Sequence, residues 1–276
     1  MKSRGALGEV AIAAILVAAL GWPLLATSLA AFRGGTESGG GLLSPVDAAT
    51  GGLQRPLQLA AETIRLVLAT EALALPVGIA LAVVLFRTDV PGRRLALASL
   101  LISAFVPLPL HATAWLGAFG NAGRSQALGL GMLPVLTGWS GAAFVHAMAA
   151  LPWVVVVVGV GLRTVEPELE DAAILDLPGP IVAWRVTLRR SLGAILGAAL
   201  AVAVLTAGDM TVTDLLRVRT YAEEAYLQYN LGNGPASAAA VTLPPLLLLG
   251  CLVSLAARGL LAADPARLPS ASLPAR

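Results

Sequence analysis

The stretch at residues 60–86 reads AAETIRLVLATEALALPVGIALAVVLF. Only Glu62, Arg65 and Glu71 carry charge in it. A helix needs about 20 largely apolar residues to cross roughly 30 Å of hydrocarbon. This stretch therefore predicts a membrane-spanning helix.

Five further apolar stretches have the same character. Of all 276 residues, 57% are apolar and 12% are charged, whereas soluble domains average about 25% charged. The mean hydropathy of the chain is +0.83. The pattern predicts an all-α, polytopic membrane protein with about six transmembrane helices, at 8–31, 60–86, 95–118, 136–162, 192–208 and 237–261.

The loop charges predict the orientation of these helices, since cytoplasmic loops hold the excess of Lys and Arg. With both termini in the cytoplasm, five basic residues fall on the outer side: Arg33, Arg55, Arg124, Arg217 and Arg219. Twelve fall on the inner side: Lys2, Arg4, Arg87, Arg93, Arg94, Arg163, Arg185, Arg189, Arg190, Arg258, Arg267 and Arg276. This split favours an even number of spans.

The first span has two interpretations. Lys2 and Arg4 before an apolar run resemble a secretory signal, but the run is nearly twice as long as the 7 to 15 residues of a signal's apolar region. A retained anchor is favoured over a cleaved signal. We expect residues 1–57 to form an accessory first helix with a Gly-rich outer linker, 58–262 the membrane-embedded core, and 263–276 a cytoplasmic tail.

The sequence gives little support to cofactor or nucleic-acid chemistry. Lys2 is the only lysine, so a phosphate-binding GxxxxGK[ST] loop is impossible. One cysteine, Cys251, and two histidines, His111 and His146, form no metal-ligand cluster. The net charge of +2 is spread along the chain, which argues against nucleic-acid binding. We expect no metal, no cofactor and no catalytic residues, and any ATP would be hydrolysed by another chain.

The longest cytoplasmic segment, 163–190, contains a second signal. Pro167 suits the first turn of a helix, and the acidic residues that follow suit a helix N-terminus. The run LPGP at 177–180 must stop that helix, because proline removes a backbone donor and glycine permits a turn. The segment is predicted to be a short helix, a sharp turn and a return to the membrane.

Within this segment, residues 169–188 read LEDAAILDLPGPIVAWRVTL. This run resembles the EAA motif of the permease subunits of binding-protein-dependent ABC importers. Asp171, Ala172 and Ala173 match its acidic-Ala-Ala core, and the run VTL at 186–188 matches its ending. The departures are Leu177 at the glycine position, a spacer one residue shorter and Arg189 in place of the final proline. Residues 206–232 are similar to the post-motif region of the ferric-iron-type branch.

The resemblance implies a type I importer permease in the inner membrane that forms half of a substrate path. Its partners would be two ABC ATPase subunits, a second permease chain, an extracytoplasmic substrate-binding protein and the lipid bilayer. The cargo would be ferric iron or another small solute. The residues implied in coupling to the ATPase are Glu170, Asp171, Ala172, Ala173, Asp176, Leu177 and Gly179.

Ionisable groups inside the spans are the other candidates, because each costs roughly 2.5 to 3.5 kcal/mol or more in a bilayer. Glu62 and Arg65 are three apart and are predicted to pair on one helix face. Glu71 lies near mid-depth with no partner nearby in sequence. It lines a pathway or bonds to a neighbouring helix, and it would be the coupling site if the chain were instead a secondary transporter driven by an ion gradient. His111 follows Pro107 and is expected to satisfy a backbone carbonyl freed by the prolines.

The outer loop at 209–234 concentrates charged residues and all three tyrosines of the chain. Such a mixture is typical of a partner-contacting surface or of an aromatic belt. By the resemblance, the start of this loop lies near the translocation path. Together with Glu71, the substrate-path candidates are Asp209, Thr211, Thr213 and Asp214.

Overall fold

The structure is a computed structural model that describes residues 54–121, 123–129 and 135–230, together with Trp22, Leu25, Ala26, Leu29 and Gly250. All regular structure in these ranges is helical. The predicted first and sixth spans, most of the Gly-rich linker and the tail lie outside the described residues, apart from those isolated positions. The helices are α1 (Gln54–Arg87), α2 (Arg93–Ala104), α3 (Leu108–Phe119), α4 (Arg124–Ala127), α5 (Gly138–Arg163), α6 (Pro167–Ile174), α7 (Gly179–Val182), α8 (Leu192–Gly208), α9 (Thr211–Leu215) and α10 (Tyr221–Asn230).

Two of the described helices are long and apolar enough to cross a membrane. They are the Leu57–Arg87 part of α1, with 31 residues, and α5, with 26 residues. The predicted span 60–86 lies within α1, and α5 contains all but the first two residues of the predicted span 136–162. Both helices end at an arginine, where a charged side chain stops the apolar run. The predicted fifth span matches α8, an apolar helix of 17 residues.

The predicted third span is not one continuous helix. The region splits into α2 and α3 at Phe105–Pro107, and the axes of Arg93–Ala104 and Leu108–Ala127 differ by 107°. Pro107 has an extended backbone and Pro109 occupies the first turn of α3, so the α2 hydrogen-bond ladder cannot continue through them. The Nε2 atom of His111 lies 3.2 Å from the Ser103 carbonyl oxygen, in the role expected from the sequence.

The described residues divide into two compact units. The first contains residues 54–66, Thr137–Ala142 and 207–230, and the second contains the rest of the three ranges. In the second unit, a core of small and branched side chains joins the later part of α1 to α5 and α8. Its buried members are Ala74, Ala82, Leu85, Ala147, Ala150, Val154, Val155, Val158, Leu162, Ala198 and Val202.

Glycines let the helices of this core approach each other closely. A Cβ atom on Gly78 of α1 would lie 2.5 Å from Val154 Cγ1 of α5. A Cβ on Gly161 of α5 would likewise collide with Ala194 of α8. Helices in membranes associate through such close contacts of small residues, because lipid provides no hydrophobic force between them.

Candidate coupling site

The segment between α5 and α8 folds as the sequence predicts, as a short helix followed by a turn. Pro167 occupies the first turn of α6, where its missing N–H costs nothing, and Glu168 and Glu170 lie in that turn, where the helix dipole favours negative charge. The Leu177 N–H donates to the Ala173 carbonyl at 2.9 Å and closes the turn. The Ile181 N–H then donates to the Pro178 carbonyl at 2.9 Å and begins α7.

A π-helix follows α7, and no pattern in the sequence predicted it. Ala183–Leu188 form this wider turn, which leads through Arg189 into α8. π-Helices are rare and are found frequently at functional sites. In this one, Thr187 is buried while Trp184 is 73% exposed. The π-helix therefore turns one polar side chain inward and leaves a large aromatic ring outside.

The inward-facing Thr187 hydroxyl donates a hydrogen bond to Oε1 of Glu170. The other carboxylate oxygen, Oε2, accepts from Arg87 Nη1 at 2.8 Å. Arg87 is the last residue of α1, and its Nη2 also donates to the Leu162 carbonyl near the end of α5, at 2.5 Å. Both oxygens of Glu170 are thus engaged within the chain.

The other predicted coupling residues lie on the surface of the segment. Asp171, Ala172, Asp176 and Gly179 are exposed, and Ala173 and Leu177 are partly exposed. Two apolar side chains beside them were not among the predicted residues: Leu175 is 86% exposed and Ile174 is 56% exposed. Exposed leucine and isoleucine within an acidic run have no sequence signal of their own.

Three of the substrate-path candidates in the outer stretch form local structure. The Asp209 carboxylate accepts the Thr211 N–H at 3.1 Å and the Val212 N–H at 2.8 Å, and so caps the start of α9. Thr213 is buried, and its hydroxyl donates to the Asp209 carbonyl at 3.2 Å. Asp214 is exposed. Asp209 and Thr213 therefore have structural partners already, whereas the Asp214 carboxylate faces outward.

Glu71 belongs to the second unit, whereas the other path candidates belong to the first. Its side chain is partly buried, and no hydrogen bond or ion pair engages it among the described residues. The neighbouring Thr70 is fully buried, and its hydroxyl oxygen has no hydrogen-bond partner in the same ranges. Two adjacent polar groups on a span helix are thus left for a ligand or another helix.

The Glu62–Arg65 pair forms as predicted, with Nη1 of Arg65 at 3.7 Å from Oε1 of Glu62. The Arg65 guanidinium also lies over the Trp139 ring, 4.6 Å from its centroid. The side chains of Arg65 and Glu62 are 65% and 43% exposed, so the ion pair contributes little stability.

A stronger pair in the first unit was missed by the sequence analysis. Nη2 of Arg55 lies 2.8 Å from both carboxylate oxygens of Glu224, whose side chain is 0% exposed. The Tyr221 N–H donates to the Thr63 hydroxyl at 3.1 Å in the same unit. Sequence separations of 169 and 158 residues leave no local signal for these contacts.

Burial shifts the proton affinity of two groups at the start of α10. Desolvation raises the pKa of Tyr221 and of Glu223. For Glu223, the nearby carboxylates Glu224 and Asp214 raise the pKa further, and the guanidinium groups oppose them. The start of α10 therefore places the partly desolvated carboxyl of Glu223 near the carboxylates of Glu224 and Asp214. The described residues contain no group of three or more His, Cys, Asp or Glu side chains placed to hold a metal ion.

Comparison of the chain with protein-family models and with curated proteins found no match.

Proposed function

We propose that the chain is a transmembrane permease subunit of an ATP-driven ABC importer, multi-pass in the inner membrane, with about six spans and both termini in the cytoplasm. It carries no catalytic residues of its own. Segment 163–190 couples it to a separate ATPase, and the chain forms half of the substrate path. The observation that supports this most is an exposed short helix held to the end of an apolar helix.

The chemistry of that surface suits docking into a protein groove. Ala172 is small and exposed, so a partner backbone can approach α6 closely. Asp171 and Asp176 offer exposed carboxylates to basic groups of the partner, and complementary charge fixes the register of an interface. Leu175 adds an apolar side chain that gains free energy when a partner covers it.

The rest of the proposed complex comes from the family resemblance. Two ATPase subunits, a second permease chain as homodimer or heterodimer, and an extracytoplasmic substrate-binding protein complete it. Ferric iron is the first substrate to test, and other small solutes delivered by a binding protein follow. The proposed substrate path includes Glu71, Asp209, Thr211, Thr213 and Asp214 in this assembly.

The test is a pull-down of the tagged chain from gently solubilised membranes, with ATPase activity assayed on the eluate. An Ala172→Arg, Ala173→Arg variant is expected to lose the ATPase, because two long cations block close approach to α6. The matched control is Thr88→Arg, Val90→Arg, which adds the same charge at exposed positions between α1 and α2. Equal recovery of ATPase with both variants contradicts the docking site. Absence of ATPase from the wild-type eluate contradicts the importer.

A second candidate function, a secondary transporter driven by an ion gradient, is favoured by Glu71 alone. Its carboxyl lies on a span helix without a partner among the described residues and next to the unsatisfied hydroxyl of Thr70. Uptake into proteoliposomes under an imposed proton gradient, compared with Glu71→Gln, distinguishes the two. An importer needs ATP and its partner, whereas a secondary transporter works alone and stops when Glu71 is neutralised.

A further inference from the structure

The contacts around Glu170 point to a role that differs from docking. We infer that Arg87, Glu170 and Thr187 are positioning residues, which fix α6 to the ends of the apolar helices so that the segment and those helices move together. What α6 docks to rests on the proposed function. The fixation itself is a property of this chain alone.

The contacts join four elements, α1, α5, α6 and the π-helix, through the side chains of Arg87, Glu170 and Thr187. Arg87 ends α1, and it reaches Glu170 in α6 and the Leu162 carbonyl of α5. Glu170 in turn accepts from Thr187 in the π-helix, which leads into α8. A displacement of α6 therefore has to break these bonds or carry the ends of the three apolar helices with it.

The burial of the three side chains makes this link strong for a segment near the surface. The side chain of Glu170 is 16% exposed and that of Arg87 is 25% exposed, while Thr187 is buried. Hydrogen bonds to ionised groups are stronger than hydrogen bonds between neutral groups. Water competes weakly at this exposure, so the contacts outweigh an ordinary surface ion pair.

The π-helix explains how Thr187, which precedes the next apolar helix, reaches Glu170. A π-turn accommodates one more residue than an α-turn, and this changes the direction of the side chains that follow it. The Ser191 hydroxyl then bonds to the Thr187 carbonyl at 2.9 Å and supports the backbone beyond the π-helix. The π-helix and the hydrogen bond from Thr187 to Glu170 therefore depend on each other.

Docking and positioning are assigned to different acidic residues of α6. Glu170 has both oxygens occupied within the chain, whereas Asp171, the next residue, is exposed. Successive residues of a helix point about 100° apart, so the two carboxylates serve different faces. The segment therefore holds itself through one carboxylate and presents the other.

The test is hydrogen–deuterium exchange of the full chain in lipid nanodiscs. In Glu170→Ala the amides of α6 are expected to exchange about ten times faster, as the loss of charged hydrogen bonds predicts. The matched control is Glu168→Ala, which removes an exposed acidic residue from the same helical turn and leaves the contacts of Glu170 with Arg87 and Thr187 intact. It is expected to leave exchange within about twofold of the wild type.

Thr187 supplies a second test that does not depend on removing a charge. Thr187→Val keeps the shape of the side chain and is expected to speed exchange in α6, while Thr187→Ser keeps the hydroxyl and restores protection. Unchanged exchange in Thr187→Val and Glu170→Ala, or an equal rise in Glu168→Ala, overturns the inference. An ATPase that still co-purifies alongside such a negative result leaves the proposed function standing. Absence of ATPase with the wild type removes that function. The difference in exchange between the Glu170 or Thr187 variants and Glu168→Ala then still tests whether Arg87, Glu170 and Thr187 fix α6.

Discussion

Replacing Gly78 by alanine tests how closely α1 and α5 pack. The new Cβ would lie 2.5 Å from Val154 Cγ1 and 2.8 Å from Val154 Cβ. Carbon atoms in good contact are about 3.5 to 4.0 Å apart, so one helix has to move by roughly 1 Å. Overpacking of this kind costs about 1 to 3 kcal/mol.

An opposing effect has to be subtracted. Alanine is about 1 kcal/mol more favourable than glycine inside a helix. A contact as short as 2.5 Å belongs to the upper part of the overpacking range, about 2 to 3 kcal/mol. After the gain from alanine is subtracted, Gly78→Ala is expected to lower the free energy of unfolding by about 1 to 2 kcal/mol. Gly197 of α8 provides the matched control, because a Cβ there meets no atom within 4 Å. Gly197→Ala is expected to stabilise by up to about 1 kcal/mol.

The free energy of unfolding is measured by tryptophan fluorescence in detergent micelles with increasing SDS. The two alanine variants should differ in sign, with a separation of about 2 to 3 kcal/mol. Val154→Ala removes the nearest atom, so its combination with Gly78→Ala should lose less than the sum of the single changes. Equal stability of the Gly78 and Gly197 variants would refute the close approach of α1 and α5.

Three further variants test the first unit. Arg55→Ala is expected to cost about 2 kcal/mol, below the 3 to 5 kcal/mol of a fully buried pair because Arg55 is 36% exposed, and unchanged unfolding in the same titration contradicts the contact. Arg217 has a positive φ of 56° just after α9, so Arg217→Gly should stabilise by about 1 kcal/mol, and a loss of stability would argue against that backbone geometry. Burial raises the pKa of Glu223 above its ordinary value of 4.5, so the folded state binds more protons than the unfolded state and stability falls as pH rises from 4.5 through the raised pKa. Glu223→Gln should flatten this slope, and an unaltered pH profile would count against burial as its cause.

The hydropathy of the sequence was enough to predict the long apolar helices. The stretch 60–86 falls within α1, the stretch 136–162 overlaps α5 from Gly138 onward, and 192–208 coincides with α8. The stretch 95–118 is divided between α2 and α3, because hydropathy counts apolar atoms and not backbone donors. Pro107 and Pro109 were visible in the sequence, and they separate the end of α2 from the start of α3.

The polar contacts join residues that are distant in the chain, so they were harder to predict from the sequence. Glu170 and Arg87 are 83 residues apart, so the sequence offered only the acidic pattern of α6 and suggested a docking role for Glu170. Asp209 is different, because its bonds to the N–H groups two and three residues later are local. An aspartate followed by a short Thr-rich helix could have been interpreted as a cap from the sequence.

The bond between Arg87 and Glu170 has a consequence for biosynthesis. Arg87 is made 83 residues before Glu170, which at about 5 to 20 residues per second is a delay on the order of 10 s. During that interval Arg87 has no carboxylate partner in α6, and in the proposed topology its free charge keeps the end of the new span on the cytoplasmic side. The same guanidinium then pairs with the carboxylate of Glu170 once α6 has been synthesised. A Glu170 variant should therefore insert with normal orientation, whereas replacement of Arg87 by a neutral residue should disturb both insertion and the final fold.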